Sequence, residues 1–245
     1  MASRVEITAS PGVRLTDSGQ SGVSLVQVLD VEARFGLPWD RFARLKAVSD
    51  HLRKTVGGGN PLKVLDAGGF DGALALFLPG HQVSVVDPAT TGGCASKIPL
   101  EDGHYDVVVS IDALEHVRFE ERSAIIAELV RLTGQLILIN LPNPATLEAQ
   151  KVVLSLTGNR FVREHVEMGL PEERWMVSEL QRQGLSCQVI PNTSLAQWAS
   201  QMTLQNLAPE AGAAIGRYLI EAHQDEPFSV PLYYLYAGTR NPRGV

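Results

Sequence analysis

Apolar residues Phe42, Leu45, Val48 and Leu52 recur at helical spacing, which predicts a helix opening at Asp40, with that acid as its cap. Gly57-Gly-Gly-Asn-Pro61 then breaks the pattern. Beyond the break the period changes repeatedly between that of a strand and that of a helix. Strands are predicted at 62–66, 82–87, about 105–110 and 135–140, with helices at 71–78 and about 119–132. Such alternation implies a parallel sheet covered by helices on both faces. The stretch from Asp87 to Ile98 is too short for a full crossover helix, so the third strand and its helix are expected to be abbreviated.

After Pro142 helical patterns dominate. They fall near 145–157, at 172–183 with Gly184 as the stop signal, around Leu195, Trp198 and Met202, and near 208–223. Strands are predicted at 185–190 and 230–237, and Phe161 to Pro171 reads as a polar segment. Two helical inserts, each of roughly 40 residues, thus flank the penultimate strand, and insertions of that length usually build lids or substrate walls. Residues 1–37 lack sustained periodicity and are expected to form a partly irregular arm. The organisation expected is one α/β domain in three stretches: arm and first helix at 1–60, a binding core at 61–142, and inserts with the closing strands at 143–245.

The chemistry concentrates where strands end. Lys63-Val-Leu-Asp-Ala-Gly-Gly-Phe-Asp-Gly72 carries an apolar run into an acid and a glycine-rich turn, and Val83-Ser-Val-Val-Asp87 ends in a second acid 21 residues after Asp66 (87 − 66). In a parallel sheet both carboxylates stand at the carboxyl edge, where such folds bind ligands. A dinucleotide site wants G-x-G-x-x-G and an open helix N-terminus for its diphosphate. Here Asp71 stands at the expected helix start, where it would cap the free amides and repel a diphosphate. A phosphate-free adenosyl sulfonium, S-adenosylmethionine, suits the turn better. A nicotinamide-dependent oxidoreductase is correspondingly disfavoured.

These segments resemble the class I S-adenosylmethionine-dependent methyltransferases. Ile98-Pro-Leu-Glu-Asp-Gly-His-Tyr-Asp-Val-Val108 is similar to the family's L-P-F-x-D-G-x-F-D-V-V, and Val109-Ser-Ile-Asp-Ala-Leu-Glu-His-Val117 to its x-x-L-E-H-V strand exit. The resemblance covers roughly residues 62–140 and implies a Rossmann-like, mostly parallel seven-stranded sheet. It also implies a cofactor site at Asp66, Gly68, Gly69 and Gly72, with Asp87 on the ribose hydroxyls and Cys94, Ala95 and Asp112 as further contacts. Two departures weaken the match. Phe70 replaces the middle glycine of the family's G-x-G-x-G turn, with Gly69 expected to supply the lost freedom, and Cys94 stands where the family often has an adenine-binding Asp.

For the proton of an acceptor hydroxyl, the candidates are Glu115 and His116 just past the strand exit and, only through a second resemblance, His165. Glu164-His-Val-Glu-Met-Gly-Leu-Pro171 resembles an E-H-x-x-x-G-L-P segment of bacterial methyltransferases from glycan gene sets, which implies that Glu164 and His165 line the acceptor pocket. The Asp112-x-x-Glu115-His116 spacing also resembles the Glu-x-x-Glu-His of quinone-biosynthesis O-methyltransferases, where a divalent metal is implicated. With one substitution and no further recognisable ligand, no metal is expected. Tyr233, Tyr234 and Tyr236 read as packing residues with polar tips, and Trp39, Trp175 and Trp198 as helix packing.

Composition narrows the remaining choices. The 245 residues carry net charge −6, which argues against a nucleic-acid substrate, and no apolar run approaches the length of a membrane span. The first residues, Met-Ala-Ser-Arg-Val-Glu, lack a secretory core, and two cysteines make neither a disulfide framework nor a metal motif, so a cytoplasmic location is expected. The expected activity is methylation of a small molecule or glycan, on oxygen. A non-catalytic S-adenosylmethionine-binding partner is the alternative. Asp112-Ala-Leu-Glu115 lacks the prolines of amino-directed nucleobase enzymes, which disfavours that branch.

Overall fold

A computed structural model describes residues 9–56 and 59–240. Gly57 and Gly58 of the expected break, and the first residues read for a leader, lie outside the described residues.

Four strands form the parallel centre: β3 (Lys63–Ala67), β4 (Gln82–Val86), β5 (Tyr105–Ile111) and β6 (Thr133–Pro142). On one side β8 (Pro231–Arg240) runs antiparallel to β6, and β7 (Leu185–Ser194) antiparallel to β8. On the other side the sequence reading needs correction. Residues 13–28 form a hairpin, β1 (Val13–Asp17) and β2 (Ser24–Val28), and β2 pairs antiparallel with β4. The sheet therefore has eight strands rather than seven, ordered β1-β2-β4-β3-β5-β6-β8-β7.

The hairpin accounts for the short stretch after β4. No strand or helix forms between Val86 and Tyr105 beyond an isolated bridge from Cys94 to Lys97. The edge of β4 is already taken by β2, and the loop lies against the hairpin turn instead. Thr91 Oγ1 donates to the Gly22 carbonyl at 2.7 Å. A Cβ on Gly93 would stand 2.1 Å from that same oxygen, so only glycine permits the contact.

Alternation along the strands divides the core in two. One face carries Val64, Val107, Val109 and Leu138 beneath helices α1 (Trp39–Val56), α6 (Leu195–Leu207) and α7 (Pro209–Ala222). The other carries Leu65, Val108, Ile137 and Ile139 beneath α2 (Phe119–Leu132) and α5 (Glu173–Arg182). The spacing that predicted α1 is the set it buries: Phe42, Leu45, Val48 and Leu52. Asp40 differs from its expected role. It lies inside the first turn, buried, and accepts from Arg44 at 2.9 Å.

Two further elements differ from the sequence reading. The helix expected at 71–78 is a single 3-10 turn, Ala73–Phe77, with every residue buried. The polar segment after α3 (Leu147–Thr157) is a helix, α4 (Arg160–Met168), capped by Asn159, whose side chain accepts from the amides of Phe161 and Val162. No helix among the described residues is long and apolar enough to cross a membrane.

Candidate active site

β3 sends its chain to β4 on one side and neighbours β5 on the other, so the strand order reverses at its carboxyl end. A cavity of about 580 Å3 opens there. Asp66, Gly68 and Gly69 after β3, Asp87 after β4 and Asp112 after β5 all line it, together with His116, His165 and residues of α1, α4 and α6.

Three of the predicted cofactor residues lie elsewhere. Gly72 packs beneath the hairpin, its would-be Cβ 3.1 Å from Leu15 and Val26. Cys94 is exposed, its Sγ 3.0 Å from Ser96 Oγ, and Ala95 packs against the second core cluster. The docking of their loop on the hairpin turn holds both away from the cavity wall. Glu115 does not line the cavity either; it is fully buried beside the imidazole of His165.

The turn after β3 is shaped differently from the expectation. Gly69 does not supply the left-handed residue; Phe70 itself takes φ 47°. That costs roughly 1–2 kcal/mol for a residue with a Cβ. Gly69 is required for closeness instead: a Cβ there would meet the Asp66 carboxylate at 2.1 Å. Asp66 is buried, its Oδ1 without a hydrogen-bond partner among the described residues. Burial pushes its pKa up to about 7, Asp71 and Asp87 adding to the shift and Arg41 opposing it.

Gly72 holds the N-cap position of the turn, and Asp71 Oδ1 accepts from the amide of Ala73, its first residue, at 3.3 Å, as expected of a capping acid. Its carboxylate is gripped by Arg41 of α1 through two bonds of 2.9 and 2.7 Å. The paired charge no longer repels a diphosphate as a bare one would, so that part of the case against a dinucleotide lapses. At Asp87, Oδ1 accepts from the amides of Ala89 (2.8 Å) and Thr90 (3.2 Å). Its Oδ2 makes no hydrogen bond among the described residues and is free to accept from a ligand.

Asp112 also holds a left-handed conformation, φ 48°. Its Oδ2 accepts from Tyr233 Oη at 3.0 Å and pairs with Arg44 Nε at 3.1 Å, while Oδ1 is buried without a partner. Burial works against the Arg44 charge, but Asp112, Tyr233 and Asp40 outweigh it and hold its pKa above the ordinary value. Burial, and then Asp112, raise the Tyr233 phenol well above its usual range. Tyr233 is therefore more than the packing residue its alternation suggested. Arg41 and Arg44, hidden among the polar positions of an amphipathic helix, escaped the sequence reading altogether. Trp198, read as packing, is buried and lines the cavity.

The three catalytic candidates converge although His165 lies on a different insert. Glu115 and His116 share a 3-10 turn, Leu114–His116, against which α4 packs. The His116 and His165 ring centroids are 5.1 Å apart, and His165 Nε2 stands 3.9 Å from Glu115 Oε1. His116 Nδ1 bonds Glu164 Oε2 at 2.6 Å, and His165 Nδ1 bonds Gln150 Oε1 at 2.8 Å. Burial, then His116 and Arg44, push the His165 pKa down to about 3. Burial and the neighbouring Asp112 push the Glu115 carboxyl well above the usual carboxylate range. Arg122 of α2, itself fully buried, ties the two segments: Nε donates to the Val117 carbonyl at 2.9 Å, and a terminal nitrogen to those of Met168 (3.3 Å) and Gly169 (2.7 Å).

Residues 65–136 match a family described as a methyltransferase domain. That stretch is similar to a methyltransferase domain. Around it, most of the fold is similar to that of a protein described as a methyltransferase from an antibiotic biosynthesis pathway of Anabaena variabilis. That likeness has 15% identity and a TM-score of 0.54, covering 80% of this chain and 97% of the other. Magnesium protoporphyrin IX methyltransferase of Synechocystis PCC 6803, solved with bound SAH, shares 15% identity at a TM-score of 0.48, over 82% of this chain and 84% of the other. No curated protein matches the chain. The match of the methyltransferase domain spans β3, β4 and β5 and the strand tips that bear Asp66, Asp87 and Asp112; the hairpin and both helical inserts lie outside it.

Proposed function

We propose that this protein transfers the methyl group of S-adenosylmethionine to a hydroxyl oxygen of a small molecule or glycan. The observation that carries this reading is Asp87: a carboxylate at the tip of β4, one oxygen fixed by two backbone amides and the other free at the cavity wall. The residues present fit the cofactor. Asp87 would take the ribose hydroxyls, the Gly68–Gly69 turn would lie along the nucleoside, and the unpartnered oxygens of Asp66 and Asp112 offer acceptors on either side. The cofactor supplies an electrophilic methyl on a sulfonium, which departs as a neutral thioether.

On the acceptor side the chain's own residues position a hydroxyl and take its proton. Bonding of His116 Nδ1 to the Glu164 carboxylate fixes the ring with its proton on Nδ1, leaving the Nε2 lone pair as acceptor. Helices α4 and α6 wall this side with α3 packed against both, consistent with inserts that determine which acceptor enters. Phe70, a departure that spoke for a binding-only protein, itself takes the left-handed conformation, so the turn keeps a left-handed residue despite losing its glycine.

Asp87→Ala is expected to weaken adenosylhomocysteine binding by about 10–100-fold in calorimetry, matching the loss of roughly 1.5–3 kcal/mol of charged hydrogen bonding. Unchanged affinity would refute the assignment. His116→Ala should bind adenosylhomocysteine normally yet turn over poorly with labelled methyl donor and hydroxylated acceptors. Binding by the unmodified chain without any methyl transfer would return the non-catalytic alternative.

A further inference from the structure

We infer that Glu115, His116 and His165 form a binding site for a divalent transition-metal ion, Zn2+ in the first instance. One ligand atom from each lies within 4.8 Å of the others. Ligand atoms around a tetrahedral ion with bonds near 2.1 Å stand about 3.4 Å apart, so side-chain adjustments of an ångström or so complete the shell. Two observations, independent of that proximity, point to a cation. No donor among the described residues reaches either carboxylate oxygen of Glu115, although the side chain is wholly buried and its polar neighbour is another carboxyl, that of Asp112. Two carboxyls buried side by side without a donor or cation between them are costly, and an ion at Glu115 would satisfy them.

The second observation is the way both imidazoles are held. Each has its Nδ1 engaged by an acceptor, Glu164 Oε2 for His116 and the amide oxygen of Gln150 for His165. Those bonds place the proton on Nδ1 and leave the Nε2 lone pairs free. Metal-ligating histidines are oriented in this manner by an outer carboxylate or carbonyl. Gln150 is buried and its Nε2 donates to Thr146 Oγ1 at 3.0 Å, which fixes its oxygen toward His165. Two imidazoles and one carboxylate make a donor set suited to Zn2+, Mn2+ or Fe2+ and poorly suited to Mg2+.

Both imidazoles line the cavity, so the remaining coordination positions face it. The role of the ion there rests on the methyl-transfer reading above. An acceptor hydroxyl bound to the ion loses its proton to solvent water. The resulting alkoxide oxygen forms a bond to the methyl carbon as the carbon–sulfur bond breaks, its electron pair passing to sulfur. Ion binding thus converts His116 from proton acceptor to ligand and hands the lowering of the hydroxyl pKa to the metal.

The test is calorimetric titration of chelator-treated full-length protein with Zn2+, alongside adenosylhomocysteine as a separate ligand. About one Zn2+ per chain is expected, with Mg2+ giving no heat. Gln150→Leu should weaken Zn2+ by roughly 10–100-fold, and Glu115→Gln by more. Adenosylhomocysteine should bind all these proteins alike. Zn2+ affinity unchanged by Glu115→Gln would overturn the site. Co2+ added to the unaltered protein gives a readout without any variant: low-symmetry d–d absorption supports the site, and a spectrum of hydrated Co2+ alone overturns it. Zn2+ binding without adenosylhomocysteine binding would leave this site standing and defeat the cofactor reading instead.

Discussion

Arg122→Ala should lower the free energy of unfolding by about 3–5 kcal/mol, the largest loss expected from any single truncation near the site. The guanidinium reaches three carbonyl oxygens, at Val117, Met168 and Gly169, from a side chain only 1% exposed. Truncation leaves those acceptors buried without donors and opens a void the size of a long side chain. Arg122→Lys should recover part of the loss, because an ammonium can reach some of those oxygens but not fork between segments. Denaturant unfolding measures the effect. A change below about 1 kcal/mol would mean that the strand exit and α4 hold together without this clamp.

Asp66→Asn should act in the opposite direction, and only at higher pH. The folded carboxyl titrates near 7, against an ordinary value of 3.8. Between those values the folded chain retains a proton that the unfolded chain has released, so stability falls as pH rises through that window. The stability is fully present below about pH 4 and is lost progressively up to about pH 7. An asparagine cannot ionise and escapes that loss. The variant should match the parent at pH 4 and exceed it by roughly 2–4 kcal/mol at pH 8, measured as chemical denaturation at both pH values. An equal difference at both would assign the effect to packing, and no difference at pH 8 would mean that the buried carboxylate is already compensated.

How much of this was legible in the sequence depends on which physical signal each element carried. The parallel core announced itself because β3, β4 and β5 are buried on both faces and read as unbroken apolar runs ending in acids. The hairpin did not. Its strands are only half buried, Val13 alone among its ten residues counting as core, so their alternation is faint. Helix α4 buries just Val162 and His165, too few to set a period, although Asn159 and Gly169 bracket it with ordinary cap signals.

The site divided along similar lines. Acids at strand tips could be placed from local pattern alone, because a strand end fixes where its last side chains stand. Arg41, Arg44 and Tyr233 could not: each reaches the cavity from an element distant in sequence, and the contacts to Asp71 and Asp112 span 30 and 121 residues where the hydrogen bonds are recorded. Gly72, Cys94 and Ala95, expected at the cofactor, do not line the cavity. The hairpin of residues 13–28 packs over Gly72 and takes the edge of β4 beside the loop that carries Cys94 and Ala95, a contact that local pattern does not announce.

Because the acids proposed for the cofactor side come from the ends of β3, β4 and β5 while Glu164, His165 and Gln150 ride on inserted helices, the two proposed halves of the cavity answer to separate parts of the gene. Drift in the inserts can redraw the acceptor chamber without disturbing the nucleoside cradle. Recombination that exchanges only 143–184 would replace α3 and α4 while keeping His116, α6 and the acids of the strand tips, making that segment a natural unit for diversifying one wall of the cavity.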